Sequence, residues 1–311
     1  MHTPVRAVAR VGFLLALVAC AANGDSNGDD GTMPTSPPKL MDPGLGGGKK
    51  MVCAGGGAET CDGVDNDCNG VIDDVDVGHD GVCDCLTIAT LGNHFTQGQN
   101  IFGKWLDSRS NNGAVDLKDQ TLTKSLLDNY KVIVAEDVEA FPLQGGGGIS
   151  GIGRYYTQAE ADVLRDWVKA GGGFMAMVIG FQYAPEVIND NMLLSPFGMS
   201  FGGQGILYGG GTTLPVTHWV THPLSDGVTR LGFDNGYAVQ GMGMSVASEQ
   251  GRDVLKAQEV GAGHVVIWGD EWITFDSEWA HHPDYQVETF WLNVLKWLTK
   301  SGDCQVPKPP K

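Results

Sequence analysis

The alternation of apolar and polar positions divides this chain into a short apolar start, a polar stretch, an acidic stretch and a long patterned region. Val11 to Ala19 is an apolar run behind Arg6 and Arg10. It is too short to cross a bilayer core of about 30 Å as a helix and has the length of a signal peptide's apolar segment. From Asn23 to Lys50 large apolar side chains are scarce. Such a stretch cannot bury enough surface to offset its conformational entropy, which predicts a tether. Regular patterning begins at Leu86. Leu86–Leu91, Lys131–Ala135, Phe174–Ile179 and His264–Trp268 read as short buried strands. Helical spacing separates them. Leu122, Leu126 and Tyr130 form one set. Thr157-Gln158-Ala159-Glu160 is a capping box opening a helix with Ala161, Leu164, Trp167 and Val168 on one face, ended by Gly171–Gly173. A last helix, Tyr285 to Lys300, carries Val287, Phe290, Trp291, Val294, Leu295 and Leu298 as one stripe. The alternation predicts an α/β three-layer sandwich with a mainly parallel sheet. The expected organisation is a signal peptide over 1–19, a tether over 20–50, a cysteine-rich module over 51–85, the α/β domain over 86–302 and a tail over 303–311.

Charge and cysteines narrow the setting. A net charge of −17 excludes nucleic acid as a partner, since that requires a basic patch, and disfavours adhesion to anionic lipid. Leu17-Val18-Ala19-Cys20 is similar to a lipobox, in which the cysteine is lipidated after cleavage. The alternative is ordinary cleavage near Ala19 or Ala22. Lipidation at Cys20 implies export and anchoring in the cell envelope, at the outer membrane. Each buried acyl methylene adds about 0.8 kcal/mol to that attachment. Six cysteines remain: Cys53, Cys61, Cys68, Cys83, Cys85 and Cys304. An even number in an oxidising compartment favours disulfides, with the connectivity open. Cys83 and Cys85 are too close to pair with each other without strain. One is expected to pair back to Cys53 or Cys61, and the other can reach Cys304.

The acidic stretch carries the densest chemistry. Asp65, Asp67 and Asn69 present oxygens at alternate positions, Gly70 follows where a calcium loop turns, and Val71 falls where a backbone carbonyl ligates. Asp73 takes the ninth position and Asp76 the twelfth, in an EF-hand-like register. The donors are hard oxygens, which favours calcium. Asp76 is shorter than the usual glutamate, and no amphipathic helix flanks the loop. The competing reading is a solvated acidic loop held by disulfides. His79 and Asp80 read as exposed. The run Cys61-Asp62-Gly63-Val64-Asp65-Asn66-Asp67-Cys68-Asn69-Gly70-Val71-Ile72-Asp73-Asp74 resembles the MopE-type metal-binding motif over residues 58–76. The resemblance implies a secreted metal-binding module. The copper association of that family does not carry over to these oxygen donors.

Residues 86–300 resemble the class I glutamine-amidotransferase-like fold, flavodoxin-like and of trehalose-utilisation type. The landmarks are Tyr156 to Glu160 leading to Gly171–Met177, Asn191 to Leu194 with Phe197-Gly198-Met199, Thr221 to Val228, and Gly269-Asp270-Glu271. Catalytic members place a cysteine on the turn after the strand matching Phe174–Ile179. Here the chain reads Val178-Ile179-Gly180-Phe181-Gln182. Gly269-Asp270-Glu271 stands where a His-x-Glu pair belongs. Thiol chemistry needs a thiolate and an orienting base, so glutaminase activity is excluded. Ser150 lies in a glycine-rich stretch and does not replace the nucleophile.

In open α/β sheets ligands bind beyond the carboxyl ends of the strands. The candidates there are Glu136 and Asp137, Gly180 to Tyr183 with Gln182 and Tyr183 foremost, and Asp270, Glu271 and Trp272. Trp272, Phe275 and Trp279 interleave with Asp270, Glu271, Asp276 and Glu278, a mixture suited to sugars or to plain core packing. His281 and His282 with Asp284 and Glu278 read as an exposed turn with Asp284 capping the last helix, or as a weak metal set. His218 and His264 lack an evident partner, and His222 in His-Pro reads as structural. The glycine-rich pieces 145–153 and 202–211 read as loops bordering the cleft. The leading expectation is a non-catalytic envelope lipoprotein whose α/β domain binds a glycan or protein partner. The first alternative is a carbohydrate or cell-wall hydrolase using a carboxylate pair among Glu136, Asp137, Asp270 and Glu271. The second is a structural surface protein.

Overall fold

Four short apolar strands set the architecture of the computed structural model. It describes residues 86–299 except 93, 96–97, 111–112, 137, 141–151 and 180–183, together with 56–57, 66–68 and 75. The chain divides into Met1–Lys49 and Lys50–Lys311, and every described residue belongs to the second part. The signal peptide, Cys20, the tether and the C-terminal tail lie outside the described residues. So do Cys53, Cys61, Cys83, Cys85 and Cys304, and Asp65, Asn69, Val71, Asp73 and Asp76 of the acidic loop. Asn66 accepts backbone hydrogen bonds from Gly56 and Gly57 at 2.9 and 3.0 Å, and Cys68 is disulfide-bonded with φ 62°.

The strands are β1 (Ile88–Leu91), β2 (Val115–Asp116), β3 (Val132–Ala135), β4 (Gly173–Ala176), β5 (Met199–Ile206), β6 (Leu214–Val216), β7 (His218–Trp219), β8 (Leu231–Phe233), β9 (Gly236–Gly241), β10 (Met244–Glu249), β11 (Arg252–Val260) and β12 (Gly263–Trp268). The helices are α1 (Asn100–Ser108), α2 (Lys124–Leu127), α3 (Gln158–Lys169), α4 (Ala184–Leu194), α5 (Asp276–His281) and α6 (Val287–Leu298). The main sheet runs β2-β1-β3-β4-β12-β11-β10-β7. The pairings from β2 to β12 are parallel, and those from β12 to β7 are antiparallel. Its parallel part has the flavodoxin-like order 2-1-3-4-5. Small antiparallel pairs β5-β9 and β6-β8 complete the strands.

The core strands are buried on both faces, which is why they read as unbroken apolar runs. Ile88, Val132, Val134, Met175, Val266 and Trp268 pack against Phe102, Trp105 and Leu106 of α1 and the stripe of α6. Ala89, Ile133, Ala135, Phe174, Ala176, Val265 and Ile267 pack on the other side against Leu164, Trp167 and Val168 of α3 and Leu193 and Leu194 of α4. Period-two alternation thus assigns each residue to one helical layer. Gly173 opens β4 because the Leu298 carbonyl of α6 lies where a Cβ would stand.

The α/β sandwich agrees with the sequence expectation, with several differences. The sheet is mixed, because its second half is an antiparallel meander of β12, β11 and β10. The strand expected over Phe174–Ile179 stops at Ala176; beyond it the Ile179 N–H leaves the ladder and donates to Glu186 at 2.9 Å. Around Leu126 the helix is one turn, since Leu122 is buried outside it. Gly202, Gly203 and Gly205 belong to β5 rather than to a loop.

The capping box at α3 is formed as expected and is tied into the rest of the fold. Glu160, buried, accepts the backbone N–H of Thr157 and of Leu122, each at 3.0 Å, and pairs with Arg154 at 2.8 Å. Burial alone would raise its pKa; the hydrogen bonds from Arg154, Leu122 and Thr157 outweigh it and hold the carboxyl below its usual value. Glu160→Ala leaves Arg154 and two N–H groups without this acceptor. It is expected to cost about 2–4 kcal/mol in urea unfolding, against about 1 kcal/mol for Thr157→Ala.

Candidate functional site: buried carboxyl groups at the carboxyl edge of the parallel strands

The order in which successive strands are added to the sheet reverses between β1 and β3, and such a switch point is where open α/β sheets leave a crevice. The tips of β3, β4 and β12 carry six buried carboxyl groups around that edge. Glu136 and Glu139 come from the segment after β3, Glu186 and Asp190 lie one turn apart on α4, and Asp270 and Glu271 follow β12. Their exposures are 0, 1, 0, 0, 0 and 4% in that order. They are close enough to feel one another's charge. Burial raises Glu186 and Asp190 well above their ordinary range, with Glu139 adding to both. Burial likewise raises Glu271, followed by the charges of Glu139, Asp270, Glu136 and Asp190. Glu136 is raised by burial and then by Asp116 at the end of β2.

These carboxyls differ in what holds them. Asp270 accepts the backbone N–H of Asp234 at 2.6 Å and of Glu271 at 2.8 Å, so it braces the turn before β9 against the tip of β12. Burial still raises it, against those bonds. Glu186 accepts the Ile179 N–H with Oε2. Both carboxylate oxygens of Glu136, Glu139 and Asp190, and Oε1 of Glu186, are buried with no hydrogen-bond partner among the described residues. As placed, no group of three or more His, Cys, Asp or Glu side chains among the described residues is arranged to hold a metal ion.

Of the expected site residues, Glu136 and Glu271 both lie buried at this edge, where the charge of Glu136 adds to the raising of Glu271, and Asp270 is there in a bracing role. Asp137, Gly180, Gln182 and Tyr183 lie outside the described residues. Trp272 and Phe275 form a half-buried pair, ring centroids 5.1 Å apart at 34°, immediately after Glu271. Trp279 does not join them. Its Nε1–H donates to the Ile273 carbonyl at 3.0 Å and its ring packs 5.5 Å from Trp105, because α5 is pressed onto α1. Asp276 accepts the Ile101 N–H at 2.7 Å and braces the start of α1.

Glu278 and His282 come within 3.8 Å, but Asp284 points to Arg230 at 3.5 Å. Asp284 does not cap the last helix; the residue at the cap position of α6 is Gln286, without a side-chain cap bond. His218 has a partner after all, Glu249 at 2.9 Å, brought beside it by the β7–β10 pairing. His222 accepts the Leu224 N–H at 3.2 Å, as a structural residue. Glu139, Glu186, Asp190 and the relay Thr90–His94–Asp107, with both contacts at 3.1 Å, have no counterpart in the sequence reading. A signal existed for Glu139, which sits between the apolar residues Val138 and Ala140 just past an apolar strand; both are buried.

No family model matches the chain, and no curated protein matches it. Solved structures do. The mmIFT52 N-terminal domain is 19% identical, with 69% of this chain and 98% of that chain covered and a TM-score of 0.53. Cytoplasmic Protein STM1381 from Salmonella typhimurium LT2 is 15% identical, with 69% and 100% covered and a TM-score of 0.51. At these identities the likeness is one of fold.

Glu278 supplies a pH test. Its carboxyl is buried and accepts the Thr213 hydroxyl at 3.1 Å on both oxygens; burial moves its pKa from 4.5 to about 7. Between those values the folded chain keeps a proton that the unfolded chain has released, so stability falls as pH rises through that window. The Tm of Glu278→Gln is expected to match wild type near pH 4, to gain on it through that window, and to stay above it at pH 8. A constant difference across a thermal-shift pH series would remove this account.

Proposed function

We propose that the chain is an exported cell-envelope lipoprotein, anchored through lipid on Cys20. In this reading the loop from Asp65 to Asp76 binds calcium. The α/β domain is a glutamine-amidotransferase-like scaffold without thiol chemistry that binds a glycan or an envelope protein at the carboxyl edge of its parallel strands. Support for the anchor is the apolar run ending at Cys20, and for the loop the register of its oxygen donors. Support for the scaffold is the absence of any cysteine between Cys85 and Cys304. One observation carries the binding reading: the half-buried Trp272–Phe275 pair beside the acids of that edge, which offers stacking faces next to hydrogen-bonding groups.

A hydrolase acting on a carbohydrate or cell-wall substrate is the second reading, favoured by two carboxyls at one edge, Glu136 and Glu271, that burial raises well above their ordinary range. A carboxyl that holds its proton above the usual carboxylate range is what acid catalysis on a glycosidic bond uses. Asp270 leaves that pair because backbone N–H groups occupy its oxygens. Release of reducing ends from cell-wall polysaccharide by the wild-type chain would select this reading over pure binding.

Calorimetric titration with calcium is expected to lose a binding event in Asp65→Ala, and equal heats would remove the loop from the proposal. On a glycan array, Trp272→Ala is expected to lower binding of whichever glycan the wild type retains by about tenfold, the scale of losing one aromatic contact of ~1.4 kcal/mol. Unchanged retention would place the ligand elsewhere.

A further inference from the structure

We propose that the carboxyl groups at the tips of β3, β4 and β12 form a site for a hard divalent cation, calcium or magnesium, with Glu136, Glu139 and Asp190 as its principal donors. This goes beyond the calcium loop proposed above and does not depend on it. The first ground is the state of the oxygens. Glu136, Glu139 and Asp190 present both oxygens, and Glu186 one, buried and without a partner among the described residues. Buried polar atoms are nearly always paired, so orphans gathered along one edge of the sheet call for an occupant.

The second ground is the missing counter-charge. The stretches that supply the carboxyls, residues 136–153, 177–195 and 269–284, contain no lysine or arginine. Arg154, next along the chain, is taken by Glu160 and by the carbonyls of Asp119 and Gln120. Among the described residues no lysine, arginine or histidine acts on Glu136, Glu186, Asp190 or Glu271, so neutralisation there comes from protons or from an ion outside the chain. Protons remove the charge one carboxyl at a time, and each protonated acid then needs an acceptor for its hydroxyl within the buried cluster. An ion removes the charge and engages the oxygens together.

The donor chemistry selects the ion. All the groups are carboxyl oxygens, with no thiol or imidazole among them, which suits calcium or magnesium over zinc or copper. A divalent ion answers more of the accumulated charge than a single ammonium group, and full burial favours a small occupant. As they stand the side chains do not close on one point. Glu136, Glu139 and Asp190 have no hydrogen bond among the described residues to give up on turning toward an ion.

The test uses the full chain, stripped with a chelator, then titrated with calcium and with magnesium by calorimetry and thermal shift. Asp65→Ala/Asp67→Ala silences the loop. In that background one ion is expected to bind per chain and to raise the Tm. Adding Glu136→Gln/Asp190→Asn is expected to weaken binding at least tenfold and abolish the Tm rise. Loop-silenced protein that binds neither ion, or binds as well with the Gln/Asn pair, overturns the site. Binding that survives the loop change and is lost entirely with Glu136→Gln/Asp190→Asn alone would instead sink the loop and keep the site. Should the Gln/Asn protein fail to fold, terbium emission excited through tryptophan in the loop-silenced chain decides the matter. Residues 51–85 contain no Trp, Tyr or Phe, whereas Trp272 directly follows Glu271. Emission is expected, and its absence overturns the site.

Discussion

Burial of the parallel strands on both faces is the constraint from which the rest of this domain follows. Every side chain of β1, β3 and β4 is buried, one set against α1 and α6 and the other against α3 and α4. Within such strands a polar group has nowhere to go except a partner in the same layer, as Thr90 finds in His94. Chemistry is therefore displaced to the strand tips, where the chain leaves the ladder. The acids begin at the first residue after β3 and the second after β12. The strand that ends early at Ala176 lets Ile179 turn to Glu186, which draws α4 toward the same edge.

Asp270 and Glu136 stand at the same edge with opposite outcomes. Asp270 is surrounded by backbone N–H groups and works as a brace. It accepts from Asp234, and Asp234 in turn accepts from Gly209 and Gly211 at 2.7 Å each, so two carboxylates in series hold the glycine-rich turn before β6. Glu136 has no such neighbours among the described residues. Burial penalises both, but only Asp270 is repaid by hydrogen bonds. Both are carboxyls within two residues of a strand's end; local N–H supply separates them.

That separation also explains what was legible in the sequence. Val132–Ala135 and Gly263–Trp268 are apolar enough to be seen as strands, and the Thr157–Glu160 box is a local hydrogen-bond pattern that needs nothing from elsewhere. The antiparallel half of the sheet was hidden. β10 changes register twice against β11, which breaks the alternation a reader would follow, and β7 is two residues long. At the site, Glu136, Asp270 and Glu271 follow strands directly and could be placed by topology. Glu186 and Asp190 could not, because acids one turn apart on a helix ordinarily mark a solvated face. Tertiary packing turned that face inward. Trp279 shows the reverse error: an aromatic among acids looks like a sugar platform until α5 is seen pressed on α1.

The sign of the field at this edge bears on why the scaffold, read as proposed, carries no thiol. A nucleophilic cysteine works as a thiolate and needs positive charge or donors around it to lower its pKa. Glu186 reaches back to the Ile179 N–H, and Asp190, Glu271 and Glu139 act on Glu186 in turn, so wherever these carboxyls are ionised the field beyond β4 is negative. A negative field pushes a thiol toward its protonated, unreactive form. A sulfur placed there alone would lack the surroundings its chemistry needs. The groups at this edge are hard oxygen donors, and what those donors favour is a proton or a small cation in place of a reactive anion.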